Sequence, residues 1–111
     1  MQAVDNWTKD DFLSLLCICG AQADMKISDD EIDWIIKYFG EATYSKTRIL
    51  FDQHSEFENY EVLKYLKQKL YADESVSSEI RNNLKALFSA DGSYSVMEKT
   101  FERALTRLLG S

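Results

Sequence analysis

Apolar residues recur at helical spacing along almost the whole chain, which contains no proline. The pattern predicts an all-α bundle of about six helices joined by short loops. The first helix is expected from about Thr8 to Ala23, because acidic residues follow Thr8 and apolar residues follow them. Its apolar residues occupy most sides, so we expect this helix to be central to the core. Its main stripe contains Phe12, Leu16, Cys19 and Ala23.

The second helix has clear start and stop signals. Ser28 is expected to cap it, with Glu31 three residues later as the reciprocal partner of a capping box. Gly40 follows the last apolar residue and is expected to end the helix.

The signals for the next helices are weaker. A short third helix is predicted from Ser45, with Ile49 and Leu50 facing inward. The apolar pattern lapses at residues 54–58, which predicts a loop. A fourth helix is marked by Tyr60, Leu63, Leu66 and Leu70, a fifth by Ile80, Leu84, Leu87 and Phe88, and a last by Phe101, Leu105 and Leu108.

One nine-residue pattern occurs twice, at residues 23–31 and 90–98. Each copy reads Ala-Asp, two residues, an apolar residue, Ser, two residues, Glu. An apolar helix is predicted before each copy and an amphipathic helix after it. We therefore expect two helix-turn-helix units that pack with approximate two-fold symmetry, with the third and fourth helices between them.

The acidic residues of this repeat have two interpretations. Turn-forming aspartates and Ser–Glu capping boxes explain all of them structurally. The same spacing also matches the second half of a calcium-binding EF-hand loop, whose first half is missing here. Such a half-loop could hold Ca²⁺ or Mg²⁺ only weakly, with water completing the coordination shell. The candidate metal ligands are Asp24, Asp29, Asp30, Glu31, Asp91 and Glu98.

Composition narrows the classes of function. The 111 residues suit a single domain, 1–111, and the net charge of −6 argues against nucleic-acid or anionic-membrane binding. The apolar run 12–23 is too short to span a bilayer, so we expect a cytoplasmic protein. Cys17 and Cys19 are interpreted as small apolar side chains, and His54, the only histidine, as a surface residue.

The repeated turn resembles that of the tellurite-resistance TerB family and is similar to the N-terminal region of DjlA-type membrane co-chaperones. The likeness covers about residues 12–109 and is specific in the turns. The first copy has Met25 where the family pattern has glycine. The second copy matches at Ala90, Asp91, Gly92, Ser95 and Glu98. The resemblance implies a non-enzymatic helical module of the cytoplasmic stress response, able to bind divalent metal through its acidic turns. We expect the same turns to present their charge to a divalent cation or to the basic surface of another protein.

Two alternatives stay open. A metal-assisted hydrolase would use the same carboxylates and requires the turns at Asp24 and Asp91 to converge on ions about 4 Å apart. A structural adaptor would dimerise through an apolar helix face and needs no ligand.

Overall fold

The structure is a computed structural model and describes residues 4–22, 27–70, 82, 102–104 and 106–108. Its helices, in chain order, are α1 (Lys9–Gln22), α2 (Asp29–Phe39), α3 (Glu41–Asp52) and α4 (Glu56–Leu70). Residues 102–104 and 106–108 are also helical, and the described ranges contain no strand. The all-α prediction is therefore confirmed. Of the predicted fifth helix only residue 82 is described, and it is helical. The second copy of the repeat and the two-fold symmetry fall outside the described residues.

Helix α1 is the centre of the bundle, as its apolar pattern predicts. Every residue from Asp11 to Ala21 is buried, and the helix packs against α2, α3 and α4. Phe12, Leu16 and Ile18 are completely buried. A helix that is surrounded by others must be apolar on nearly all sides, whereas a surface helix needs only one apolar stripe.

Helix α1 also carries polar groups that tie it to α3. The Ser14 and Thr47 hydroxyls lie 2.8 Å apart, both fully buried, and Thr47 donates to the backbone of its own helix. Nearby, Lys46 Nζ donates to Asp11 Oδ2 at 2.8 Å, and the Asp11 side chain is 3% exposed. These paired groups satisfy polar atoms that would otherwise be costly to bury, and they fix how α1 and α3 face each other.

Reciprocal caps begin several helices. At α1, the Thr8 N–H donates to Asp11 Oδ2 at 2.8 Å, and the Asp11 N–H donates to Thr8 Oγ1 at 3.3 Å. At α4, the Ser55 N–H donates to Glu58 Oε1 at 2.8 Å, and the Glu58 N–H donates to Ser55 Oγ at 3.2 Å. Hydroxyl and carboxylate residues three apart thus satisfy backbone donors that a helix leaves unpaired at its start.

Gly40 ends α2, as predicted, and it also begins α3. Its φ of 94° is favourable only for glycine, and its N–H donates to the Ile36 carbonyl at 2.9 Å. Its own carbonyl accepts the Tyr44 N–H at 3.0 Å, so α3 starts at once. The predicted start at Ser45 is therefore wrong by four residues. Glycine has no side chain to cap a helix, so residues 40–41 carry no recognisable signal for a helix start.

Two further expectations for this region need correction. Helix α4 begins at Glu56, so most of the loop predicted at residues 54–58 is helical. Ile49, predicted to face inward, is 60% exposed, whereas Leu50 is 8% exposed. Neighbouring residues on a helix differ by about 100° in direction, and α3 buries only the face that carries Thr47 and Leu50.

The remaining core follows the predicted spacing. Tyr60, Leu63 and Leu66 of α4 are buried, and Leu70 is partly buried against them. Leu108 joins the same cluster from the C-terminal segment. None of the described helices has the length and apolarity that crossing a membrane requires.

Candidate functional site

The first acidic turn is described from Ile27 onward. The Ser28 N–H and Ser28 Oγ both donate to Glu31 Oε1 at 2.9 Å, and the Glu31 N–H donates to Ser28 Oγ at 3.2 Å. Glu31 is only 8% exposed. This is the predicted capping box, so the carboxylate has a structural use at the start of α2.

Asp29 and Asp30 differ from Glu31 because both are exposed. They occupy the first turn of α2, where the positive end of the helix dipole stabilises negative side chains. The same dipole weakens any attraction between these carboxylates and a cation. A metal ion held here would therefore keep most of its water ligands.

The candidate ligands do not form a complete metal site in the part of the chain that the structure covers. No three His, Cys, Asp or Glu side chains of the described residues are placed to hold a metal ion together. Asp24, Asp91 and Glu98 lie outside those residues. The convergence of Asp24 and Asp91, which the hydrolase alternative requires, also lies outside them.

A cavity of about 360 Å³ opens where the end of α1 meets the connection between α3 and α4. Its volume is near the lower end of the range of small-molecule sites, about 300–1,000 Å³. Its wall combines aromatic rings with polar groups and contains Cys19, Gln22, Phe51, His54, Glu56, Asn59 and Tyr60.

Asn59 is the buried polar residue of this wall, with an exposed fraction of 1%. Its Nδ2 donates to the Phe51 carbonyl at 3.1 Å. Its Oδ1 is buried and has no hydrogen-bond partner among the described residues. A buried polar atom without a partner costs about 1–3 kcal/mol, so this oxygen lowers the stability of the fold.

His54 is half-buried in the short connection between α3 and α4, rather than fully at the surface. Its Nδ1 lies 2.8 Å from the Leu50 carbonyl oxygen. A carbonyl only accepts hydrogen bonds, so Nδ1 carries the proton that it donates. In the neutral ring, Nε2 is then an acceptor.

Two residues of the cavity wall, Tyr60 and Glu56, are in contact with Arg107 of the C-terminal segment. The Arg107 guanidinium lies 4.6 Å from the centre of the Tyr60 ring and pairs with the Glu56 carboxylate. Burial raises the pKa of Tyr60 to about 12, so its hydroxyl stays protonated at neutral pH. Among the described residues of the wall, Glu56 is the one carboxylate, and its pairing with Arg107 offsets that charge.

The two cysteines are buried thiols. Burial raises the pKa of both Cys17 and Cys19 to about 12. The thiolate, which is the nucleophile and the metal ligand, is therefore strongly disfavoured. Both side chains behave as the small apolar groups that the sequence predicted.

The apolar pattern did not predict the cavity, although the sequence contains one signal of it. Asn59 precedes Leu63 by four residues and Leu66 by seven, which places a polar residue on the apolar face of α4. A buried polar residue of this kind either forms hydrogen bonds within the protein or lines a cavity or binding site.

Comparisons of the chain with protein-family models, with curated proteins and with solved structures found no match. The likeness to TerB therefore depends on the motif residues of the two turns. Function has to be argued from side chains, because an all-α architecture by itself implies none.

Proposed function

We propose that the protein is a non-enzymatic binding module of the TerB-like stress-response type, which binds a hydrated divalent cation at the start of α2. The observation that supports this is the division of roles in the first acidic turn. Asp29 and Asp30 are exposed side by side, while Glu31 is occupied by the cap. The cytoplasmic location comes from the family resemblance, and a protein partner with a basic surface is proposed because the turn is acidic.

The expected affinity is low. Tight Ca²⁺ sites use six to eight oxygen ligands, and Mg²⁺ sites with few protein ligands keep several waters. Two adjacent carboxylates supply a small part of either shell, and the helix dipole opposes a cation. We therefore expect dissociation constants of about 1 mM, as for the weakest natural Ca²⁺ modules.

The test is an amide NMR titration with Ca²⁺ and Mg²⁺ up to about 10 mM, roughly ten times the expected dissociation constant. Saturable shifts are expected at residues 28–33 and should disappear in the double variant Asp29→Asn, Asp30→Asn. Asp10→Asn is the matched control, because Asp10 is also an exposed acid in a first helical turn. It should leave these shifts unchanged.

Glu31→Gln separates the cap from the cation site. Glutamine can still accept hydrogen bonds in a capping box but supplies no charge to a metal. The variant should retain the saturable shifts. Shifts that rise linearly without saturation, or a response that Glu31→Gln abolishes and the double aspartate variant keeps, would contradict the proposed site.

A second candidate function is that of a dimerising adaptor, which the exposure of two large apolar side chains favours. Ile49 is 60% exposed and Phe57 is 70% exposed. Sedimentation velocity over a range of concentrations should then show a dimer that Ile49→Ser, Phe57→Ser removes. Ala42→Ser, at another exposed position of α3, is the control. A monomer at all concentrations would refute this candidate.

A further inference from the structure

We propose that the cavity between α1, α3 and α4 binds a small aromatic guanidinium compound, which takes the place of Arg107 beside Glu56 and Tyr60. This inference is independent of the carboxylates of α2, because it concerns other residues. It starts from a contact within the fold: two residues of the cavity wall, Glu56 and Tyr60, already hold the guanidinium of Arg107. We call Glu56 and Tyr60 together the arginine site.

The arginine site combines two groups that attract a guanidinium. The Arg107 guanidinium carbon lies 4.6 Å from the centre of the Tyr60 ring, and the negative face of an aromatic ring attracts a cation. Arg107 Nη1 also donates to Glu56 Oε1. A planar guanidinium matches carboxylates and aromatic faces better than an ammonium does. The class of ligand is therefore inferred from the group that the chain itself places there.

Phe51, also in the cavity wall, shows the same combination. The Arg48 guanidinium lies 5.8 Å from the centre of the Phe51 ring, and its Nε donates to Asp52 Oδ1 at 3.1 Å. Both arginines thus lie against an aromatic ring with a carboxylate beside them, which offsets their charge. This recurrence indicates that a guanidinium is well accommodated by the aromatic rings of the region.

The contact of Arg107 is exposed to solvent, so another cation can reach it. The side chain of Arg107 is 52% exposed and that of Glu56 is 63% exposed. Water competes for both groups of such a pair, which therefore contributes little to stability. A ligand with its own guanidinium can replace Arg107, and its ring gains contact with the aromatic wall of the cavity. Arg107 is then a competitor of the ligand that is built into the chain.

The test compares benzylguanidine and benzylurea by amide NMR on the full chain, each up to about 20 mM, the range in which weak fragment binding is measurable. The two probes have nearly the same shape, but only the first is a cation at neutral pH. Benzylguanidine should cause saturable shifts at Cys19, Phe51 and Asn59, which lie in the cavity wall. It should also shift the side-chain Nε–H signal of Arg107, because it displaces this group, whereas benzylurea should not.

Arg107→Gln removes the competitor. Benzylguanidine should bind this variant about threefold more tightly than the unmodified chain, the factor expected from an exposed ion pair and a cation–π contact. The affinity of benzylurea should not change. In the double variant Glu56→Gln, Arg107→Gln the gain should be lost. Glu58→Gln in the same background is the matched control, because Glu58 is an exposed glutamate of the same helical turn outside the described cavity wall.

Several results would overturn the proposal. If Arg107→Gln did not tighten the binding of benzylguanidine, the ligand would not occupy the arginine site. If Glu58→Gln reduced binding as much as Glu56→Gln, the effect would come from net charge alone. Saturable shifts confined to residues 28–33 would place the cation at α2, and the absence of saturable shifts would mean that the cavity does not bind this class. If Arg107→Gln did not fold, the Arg107 side-chain signal of the unmodified chain would still decide whether Arg107 is displaced.

Discussion

Replacing Glu31 tests whether this residue of the repeat serves the helix or a metal ion. Its Oε1 accepts two hydrogen bonds from Ser28, and the residue is 8% exposed. Glu31→Ala removes both bonds and the negative charge at the start of α2. Loss of a cap costs about 1 kcal/mol, within a range of about 0.5–2, and loss of the dipole interaction costs about 0.3–1 kcal/mol.

The expected destabilisation is therefore about 2 kcal/mol, since the carboxylate is well buried and both terms act together. For 111 residues the entropy of unfolding is about 0.23 kcal/mol/K near the midpoint. The variant should thus unfold about 9 °C below the unmodified protein. Glu31→Gln keeps an acceptor and loses only the charge, so its midpoint should fall by about 1–4 °C.

The assay is thermal unfolding followed by far-UV circular dichroism at neutral pH, with a chelator and then with Ca²⁺. If Glu31 serves only as a cap, each variant should show the same decrease in unfolding midpoint with the chelator and with Ca²⁺. Glu58→Ala, at the exposed capping box of α4, should lower the midpoint less, because solvent replaces its interactions more easily. If Glu31→Ala and Glu31→Gln were equally damaging, and only with Ca²⁺ present, the reasoning would be refuted.

Three further outcomes are expected from the core, the thiols and the caps. Leu16→Ala should cost about 3 kcal/mol in the free energy of unfolding by denaturant, because Leu16 is completely buried in α1. Cys17 and Cys19, whose pKa values are raised to about 12, should react with iodoacetamide at mildly alkaline pH only as fast as the chain unfolds. The hydrogen bonds from Ser55 hold the pKa of Glu58 below its ordinary value of about 4.5. These bonds therefore stabilise the fold above that pH, and the stabilisation is lost as pH falls through the lower pKa of the folded state. In Glu58→Gln the free energy of unfolding should fall less steeply as the solution is made acidic.

For each of these predictions a specific result would contradict the reasoning. A loss below about 1 kcal/mol for Leu16→Ala would mean that α1 is not tightly packed. Alkylation of the folded protein at the rate of a free thiol would mean that the cysteines are accessible. If the free energy of unfolding fell as steeply in acid for Glu58→Gln as for the unmodified protein, the cap of α4 would not contribute to stability.

The start and stop signals of the helices were largely readable from the sequence. Thr8 and Ser28 were assigned the capping roles that the structure gives them, and Gly40 was correctly expected to end α2 although its place at the start of α3 was not predicted. Ser55 and Glu58 form a cap of the same kind, which the sequence contained but the apolar pattern concealed. Caps are predictable because they join residues three apart in the chain and need no contact with the rest of the fold.

The recurrence of such caps also changes how the repeat is understood. Helices α1, α2 and α4 each begin with a hydroxyl residue that is followed three positions later by an acidic residue. The Ser28–Glu31 pair is therefore an ordinary helix start, and Asp29 and Asp30 are what distinguishes the first turn.

Apolar spacing and capping residues were enough to predict the helical class, the central position of α1 and the role of Glu31 in its cap. They could not predict that Leu50 is buried and Ile49 exposed, or that Asn59 and His54 line the same cavity. Helical spacing restricts which residues share a face, but several faces of α3 and α4 are apolar enough to be buried. Which of them is covered depends on the neighbouring helices, and that information lies in contacts between residues far apart in the chain.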